Sequence, residues 1–296
     1  MFSLSHFWHH LIGGLPWDWA QFHYMQLALL AVLLAAPLFA LIGTQVVGLR
    51  LVFFSDTLGH AALAGLGVGV VAGLTEPWWA MLVWAVLMAL LMTWVQRRSR
   101  AGSDTVLGVF LAFSVALGIA LLSHRGQTKQ LLNYLVGDVL SITGHELAAL
   151  ALVLVITVAL ALRWFNALSL IGLNASLAGS RGVRVAWVQA GFAVTVAVAV
   201  TMVIPWVGLL LINAFLVLPA ATARLLARNM RQYLIWTVGL ALGAGVGGLI
   251  SSFYWDTPTG ATIVLWATAF YALALLVHPS RLDKISPIFE AAGVEN

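Results

Sequence analysis

The chain has 296 residues, 62% hydrophobic and only 8% charged, with a mean hydropathy of +1.02, far from the composition of globular domains, about a quarter of which is charged. Fourteen Lys and Arg, ten Asp and Glu and eight His residues cannot cover a water-exposed surface, which excludes a soluble enzyme, a nucleic-acid binder and a disordered chain and leaves an integral membrane protein. The absence of cysteine excludes disulfides, thiolate metal sites and iron–sulfur clusters, so any metal must be met by imidazole, carboxylate or backbone oxygen.

Residues 1–23 have neither a basic n-region nor a small-residue cleavage site, so no secretory signal is expected. Trp8, Trp17 and Trp19 suit a membrane interface instead. His6, His9, His10 and His23 in this segment read first as exposed imidazoles on an interfacial helix and second as a metal-collecting mouth.

Nine apolar stretches of helix-spanning length follow: Tyr24–Val47, Leu58–Leu74, Pro77–Val95, Thr105–Ser123, His145–Leu162, Val185–Ile204, Trp206–Ala223, Gln232–Phe253 and Gly260–Val277. None alternates as a barrel strand would, so the fold class is all-α, a polytopic bundle. Between the fourth and fifth spans, Leu131–Ile142, holding Asp138, is too short to cross and reads as an external or re-entrant element. Residues 163–184 read as a helix lying along the cytoplasmic surface. The expected division is an interfacial segment 1–23, a transmembrane domain 24–278 and a cytoplasmic tail 279–296.

Basic residues orient the spans, because cytoplasmic loops retain Lys and Arg. With the amino terminus outside, twelve of the fourteen fall in cytoplasmic positions and only Arg125 and Lys129 outside.

Ionisable residues within spans are costly and mark function first. Ser55-Asp56-Thr57-Leu58-Gly59-His60 opens the second span. Asp56 and His60 are one helical turn apart on one face and could share a divalent cation; an Asp N-cap beside a satisfied His is the alternative. Asp256, before Thr257 and Pro258, has the look of a helix start. Asp104 in Ser103-Asp104-Thr105 lacks a His four residues on and reads as an N-cap balancing nearby arginines. In Gly208–Arg228 a span is expected to end at Pro219, followed by a small-residue turn through Thr222 and a basic helix with Arg224 and Arg228 on one face, which could meet anionic lipid or dock a soluble partner.

Enzyme readings fail. His145-Glu146-Leu147-Ala148-Ala149 has Ala where a zincin needs its second His, and neither Lys129 nor Lys284 lies in a phosphate-binding loop. No enzyme activity, bound cofactor or paired haem ligand is expected.

Five stretches in order, FFSDTLGHAALAGLGVG (53–69), SDTVLGVFLAFSVALG (103–118), NYLVGDVLS (133–141), VGLLLINAFLVLPAATARLLAR (207–228) and GGLISSFYWDTPTGA (247–261), resemble the signature stretches of permease subunits of bacterial zinc and manganese ABC uptake systems, most nearly the zinc permeases. The resemblance spans about residues 27–278. It implies a multi-pass protein of the bacterial inner membrane, forming a homodimer with a cytoplasmic ATPase dimer and an extracytoplasmic metal-binding protein as partners. Zinc, or manganese or iron, is then the transported substrate. The resemblance further implies metal handling by Asp56 and His60, a place for Asp256 near the external entrance, and ATPase coupling through Pro219, Thr222, Arg224 and Arg228. A secondary metal transporter and a non-transporting membrane anchor are the other classes.

Overall fold

With so few hydrophilic residues, each span must satisfy its backbone polar groups internally, and helices do so without an edge. The computed structural model describes residues 18–99, 101–124, 126, 134–135, 137 and 139–277. Among the described residues it has ten α-helices: α1 (His23–Gly48), α2 (Val52–Val71), α3 (Trp78–Arg98), α4 (Ser103–His124), α5 (Gly144–Leu173), α6 (Ala175–Ser180), α7 (Val185–Val207), α8 (Leu209–Leu226), α9 (Met230–Trp255) and α10 (Thr259–Val277). Eight are long and apolar enough to cross a membrane, and α8 contributes a shorter apolar helix. The nine apolar stretches of the sequence thus each become a helix. His6, His9, His10, Asp138 and the tail 279–296 lie outside the described residues.

Two connections are as short as helices allow. Past α1, Arg50 adopts φ 58°, its N–H donates to the Val47 carbonyl (3.2 Å) and that of Leu51 to the Val46 carbonyl (2.9 Å), a Schellman turn that pairs carbonyls at the end of α1 before α2 starts. Between α7 and α8 a single residue, Gly208, stands at φ 80°, ψ 152°, a conformation open essentially to glycine alone. The short element before α5 tucks against this break: Gly137 abuts the backbone of Val207 and Gly208, and Val139 and Ile142 are buried.

Four sequence-level boundaries are corrected. The second span starts at Val52, six residues before Leu58, and Leu51 is its cap, so Asp56 lies inside the helix and is not an N-cap. Asp104 is likewise inside the first turn of α4. The fifth span does not stop at Leu162: α5 continues to Leu173 because Leu168 and Ile171 bury on its inner face and Gly172 packs on the Gly48 carbonyl at the end of α1. Only at Asn174 does the chain turn, where Asn174 Oδ1 accepts from Ser176 and Leu177 N–H to start α6. Finally, α8 runs unbroken through Pro219 to Leu226. Its neighbours α1, α9 and α10 hold it around the missing donor, as packed helices do in membranes.

The helices form two groups. α2 packs on α3, α4 and α7, whereas α1 packs on α5, α8 and α9, with α10 against α8 and α9. α8 also touches α2 and α7 and so bridges them. α2 is the least apolar of the spanning helices and the most enclosed: polar residues are withdrawn from lipid by surrounding them with other helices. Its glycines permit this, since Gly65 and Gly69 face α3 at Trp84, Ala80 and Pro77, and Gly67 faces Leu121 of α4.

Candidate cation site at the seam between α2 and α8

The site begins with α2, whose second and third turns carry Asp56 and His60 on one face. Neighbouring polar residues are consumed locally: Ser55 Oγ donates to the Val52 carbonyl (3.1 Å) and Thr57 Oγ1 to that of Phe53 (2.7 Å). Asp56 and His60 instead stay one-third and one-quarter exposed, at 33% and 26%, and so accessible to an ion.

His60 Nε2 stands 3.8 Å from Asp56 Oδ1, too far for a hydrogen bond. Two ligands of one tetrahedral zinc, bonded at about 2.0 Å, are about 3.3 Å apart. The pair therefore needs to close by only about half an ångström to grip one ion. Imidazole with carboxylate suits zinc, iron or manganese over the harder magnesium and calcium.

The tertiary fold adds a third group. Asn213, in the second turn of α8, donates from Nδ2 to Asp56 Oδ1 at 2.6 Å. Its Oδ1 is buried and has no hydrogen-bond partner among the described residues, an acceptor available to a cation. The antiparallel approach of α8 to α2 puts Leu209 directly against Gly59, where a Cβ would collide with the leucine side chain, and this places Asn213 opposite Asp56 one turn away. Sequence reading passed over Asn213. Its signal was present: it is the single amide in an otherwise apolar run from Trp206 to Ala221, the kind of residue whose burial in a span needs a reason.

Asp256 does not join this group; among the described residues no set of three His, Asp or Glu side chains converges. It is exposed beyond the end of α9 at φ 50°, ψ 46°. Its own N–H and that of Thr257 return to the Ser252 carbonyl, the latter at 3.2 Å. It thus closes α9, whereas the sequence suggested the start of the next helix; α10 begins three residues later at Thr259.

The Pro219–Arg228 region also differs from expectation. Pro219 and Thr222 are buried within α8, Thr222 donating to the Leu218 carbonyl (2.7 Å). Arg224 is exposed in the last turn, but α8 ends at Leu226 and Ala227 is extended at ψ 142°. Arg228 therefore belongs to a tight turn, its N–H donating to Gln232 Oε1 (3.0 Å) ahead of the Asn229 cap of α9. The two arginines flank a corner and do not share a helical face.

Glu146 has a structural task. Thr143 Oγ1 accepts from Glu146 N–H and Glu146 Oε2 accepts from Thr143 N–H, the reciprocal capping box that starts α5.

Residues 21–278 match the model of the ABC 3 transport family. An uncharacterized membrane protein of Synechocystis sp. is 33% identical over 86% of this chain and 91% of its own length. The high-affinity zinc uptake system membrane protein ZnuB of Haemophilus influenzae is 28% identical over 84% of this chain and 95% of its own. The manganese import system permease protein ScaB of Streptococcus gordonii is 24% identical over 88% and 94%. Among solved structures, PsaBC from Streptococcus pneumoniae in complex with Fab shares the fold with a TM-score of 0.75 at 22% identity, covering 94% of this chain and 97% of that one. The chain belongs to the ABC 3 transport family: it is a multi-pass membrane protein, the permease subunit of a bacterial ABC transporter whose ATP hydrolysis resides in a separate subunit.

Proposed function

We propose that this permease imports a divalent transition metal, zinc in the first instance, through a path that passes Asp56, His60 and Asn213. The observation that carries the reading is the convergence of imidazole, carboxylate and amide where α8 meets α2, between two groups of helices that pack chiefly within themselves. A set of three donors is incomplete for a stable metal centre, as transit requires: capture strong enough to replace hydration, weak enough for release. Relatives named for zinc and for manganese lie on either side of this chemistry, and the imidazole tilts it toward zinc.

In this reading the amino terminus is outside. An extracytoplasmic binding protein delivers the ion, and a homodimer of this chain sits on a cytoplasmic ATPase dimer. Closure of the ATPase rocks the helix groups against each other and opens the seam inward. Asp256 would act at the external entrance, and the α8–α9 corner carrying Arg224 and Arg228 would receive the ATPase, with Pro219 and Thr222 in the helix that leads to it.

Vesicles holding this chain with its ATPase and binding protein should accumulate zinc only with ATP and resist excess manganese, and His60→Ala, at normal expression, should abolish the uptake. Manganese preference would change the cargo and keep the machine. Accumulation without ATP, or unchanged uptake in the variant, would overturn the reading.

A further inference from the structure

α3 ends in Gln96, Arg97 and Arg98, where cations complement the carbonyl end of the helix. Arg98 is engaged, its guanidinium 4.8 Å above the Trp94 ring. Arg97 pairs with no carboxylate among the described residues. Beside it a cavity of about 210 Å³ opens between the end of α3, the starts of α2 and α4, the α5–α6 junction and α7, its polar lining formed by Gln96, Arg97, Ser103 and Gln189 together with Thr93. Thr93 gives its proton to the Ala89 carbonyl (2.7 Å) and offers no donor. Gln96 Nε2, in contrast, is buried without an acceptor among the described residues. A buried amide donor and a guanidinium that find no partner among the described residues, with Ser103 at the start of α4, make a donor-rich cavity, and such groups call for an anion. Asp104, exposed in that same first turn, does not line it.

A second hollow continues from the first. A groove of about 490 Å³ shares Thr93 and Arg97 with the cavity and runs between α3 and α7 over Leu90, Trp94, Ala186, Trp187 and Ala190. Trp187 is 75% exposed there. A donor-lined cavity and an apolar groove that meet at one arginine are complementary to a molecule with an anionic head and a hydrocarbon chain. Arginine at the end of a spanning helix reaches such headgroups while its stem stays on apolar surface. We propose that the cleft between α3 and α7 at the Arg97 end binds one anionic phospholipid, the phosphate in the cavity and an acyl chain in the groove.

Native mass spectrometry of the full chain, titrated with phosphatidylglycerol or with phosphatidylcholine of the same acyl chains, tests this. Phosphatidylglycerol should be retained preferentially, and Arg97→Gln should weaken its retention about fivefold, the worth of one basic side chain at an anionic membrane surface. Arg163→Gln, an exposed position on α5 that does not line the cleft, should leave it unchanged. A phosphatidylglycerol with a photoreactive acyl chain should label the stretches 90–94 or 186–190. Should Arg97→Gln fail to fold, Ala190→Trp, which fills the groove without touching the guanidinium, should cut retention alike. Equal retention of both lipids, equal loss in Arg163→Gln, labelling elsewhere, undiminished retention in Ala190→Trp, or displacement by millimolar inorganic phosphate would each overturn the proposal, the last by showing a free-anion site.

Discussion

Asn213 shows how much one amide can decide in a span. Asn213 Nδ2 reaches Asp56 from another helix at 2.6 Å, and the carboxylate's aim toward His60 depends on that bond. Loss of such an orienting partner weakens metal binding roughly 10–100-fold in general. Asn213→Leu, which keeps the volume and removes the hydrogen bond, should therefore raise the KM for metal uptake by about that factor at unchanged protein level; an unaltered KM would remove Asn213 from the site. Asp256 poses the opposite problem, since its left-handed backbone explains the residue type without any metal: Asp, Asn and Gly tolerate that conformation. Asp256→Asn separates the two roles by keeping the turn and deleting the charge. If the side chain assists metal at the entrance, uptake at low metal falls while thermal stability holds, whereas Asp256→Ala should lose about 1 kcal/mol of stability. Full uptake by the Asn variant would leave Asp256 with the backbone role alone.

At the scale of helices, close approach is set by where a side chain is missing. Gly43 of α1 faces the Leu216 carbonyl of α8 so tightly that a Cβ would strike backbone, not a yielding side chain. Overpacking of that kind costs about 1–3 kcal/mol. Gly43→Ala should lower the unfolding temperature of the detergent-solubilised protein, while Gly48→Ala, five residues along where an added Cβ would meet nothing within 4 Å, should not. Equal behaviour of the two would mean that the α1–α8 contact carries little of the fold. The boundaries misread from sequence have the same origin. Nothing local ends α5 at Leu162 or α8 at Pro219; the first continues because Leu168 and Ile171 find a surface to bury against, and the second because three helices surround it. Hydropathy registers how apolar a segment is, not whether a neighbour accepts it.

Across the whole molecule, the absence of cysteine makes the seam testable by cross-linking on an otherwise blank background. Gly59 and Leu209 are in direct contact between α2 and α8, and disulfides need Cβ atoms about 3.5–4.5 Å apart. A Gly59→Cys, Leu209→Cys double variant, oxidised, should stop ATP-driven uptake, and reductant should restore it; uptake that persists with the cross-link complete would place the moving boundary elsewhere. The sequence by itself determined the membrane class, nine apolar segments and the turn-spaced pair Asp56 and His60, because composition, segment length and helical periodicity are local properties that need no partner. Only the tertiary structure decided that Asn213 hydrogen-bonds Asp56, that Asp256 closes a helix, that Arg224 and Arg228 flank a corner and that α2 is enclosed by other helices. Each of these depends on which helices lie side by side, and that follows from the mutual fit of glycine gaps and bulky side chains far apart in the chain.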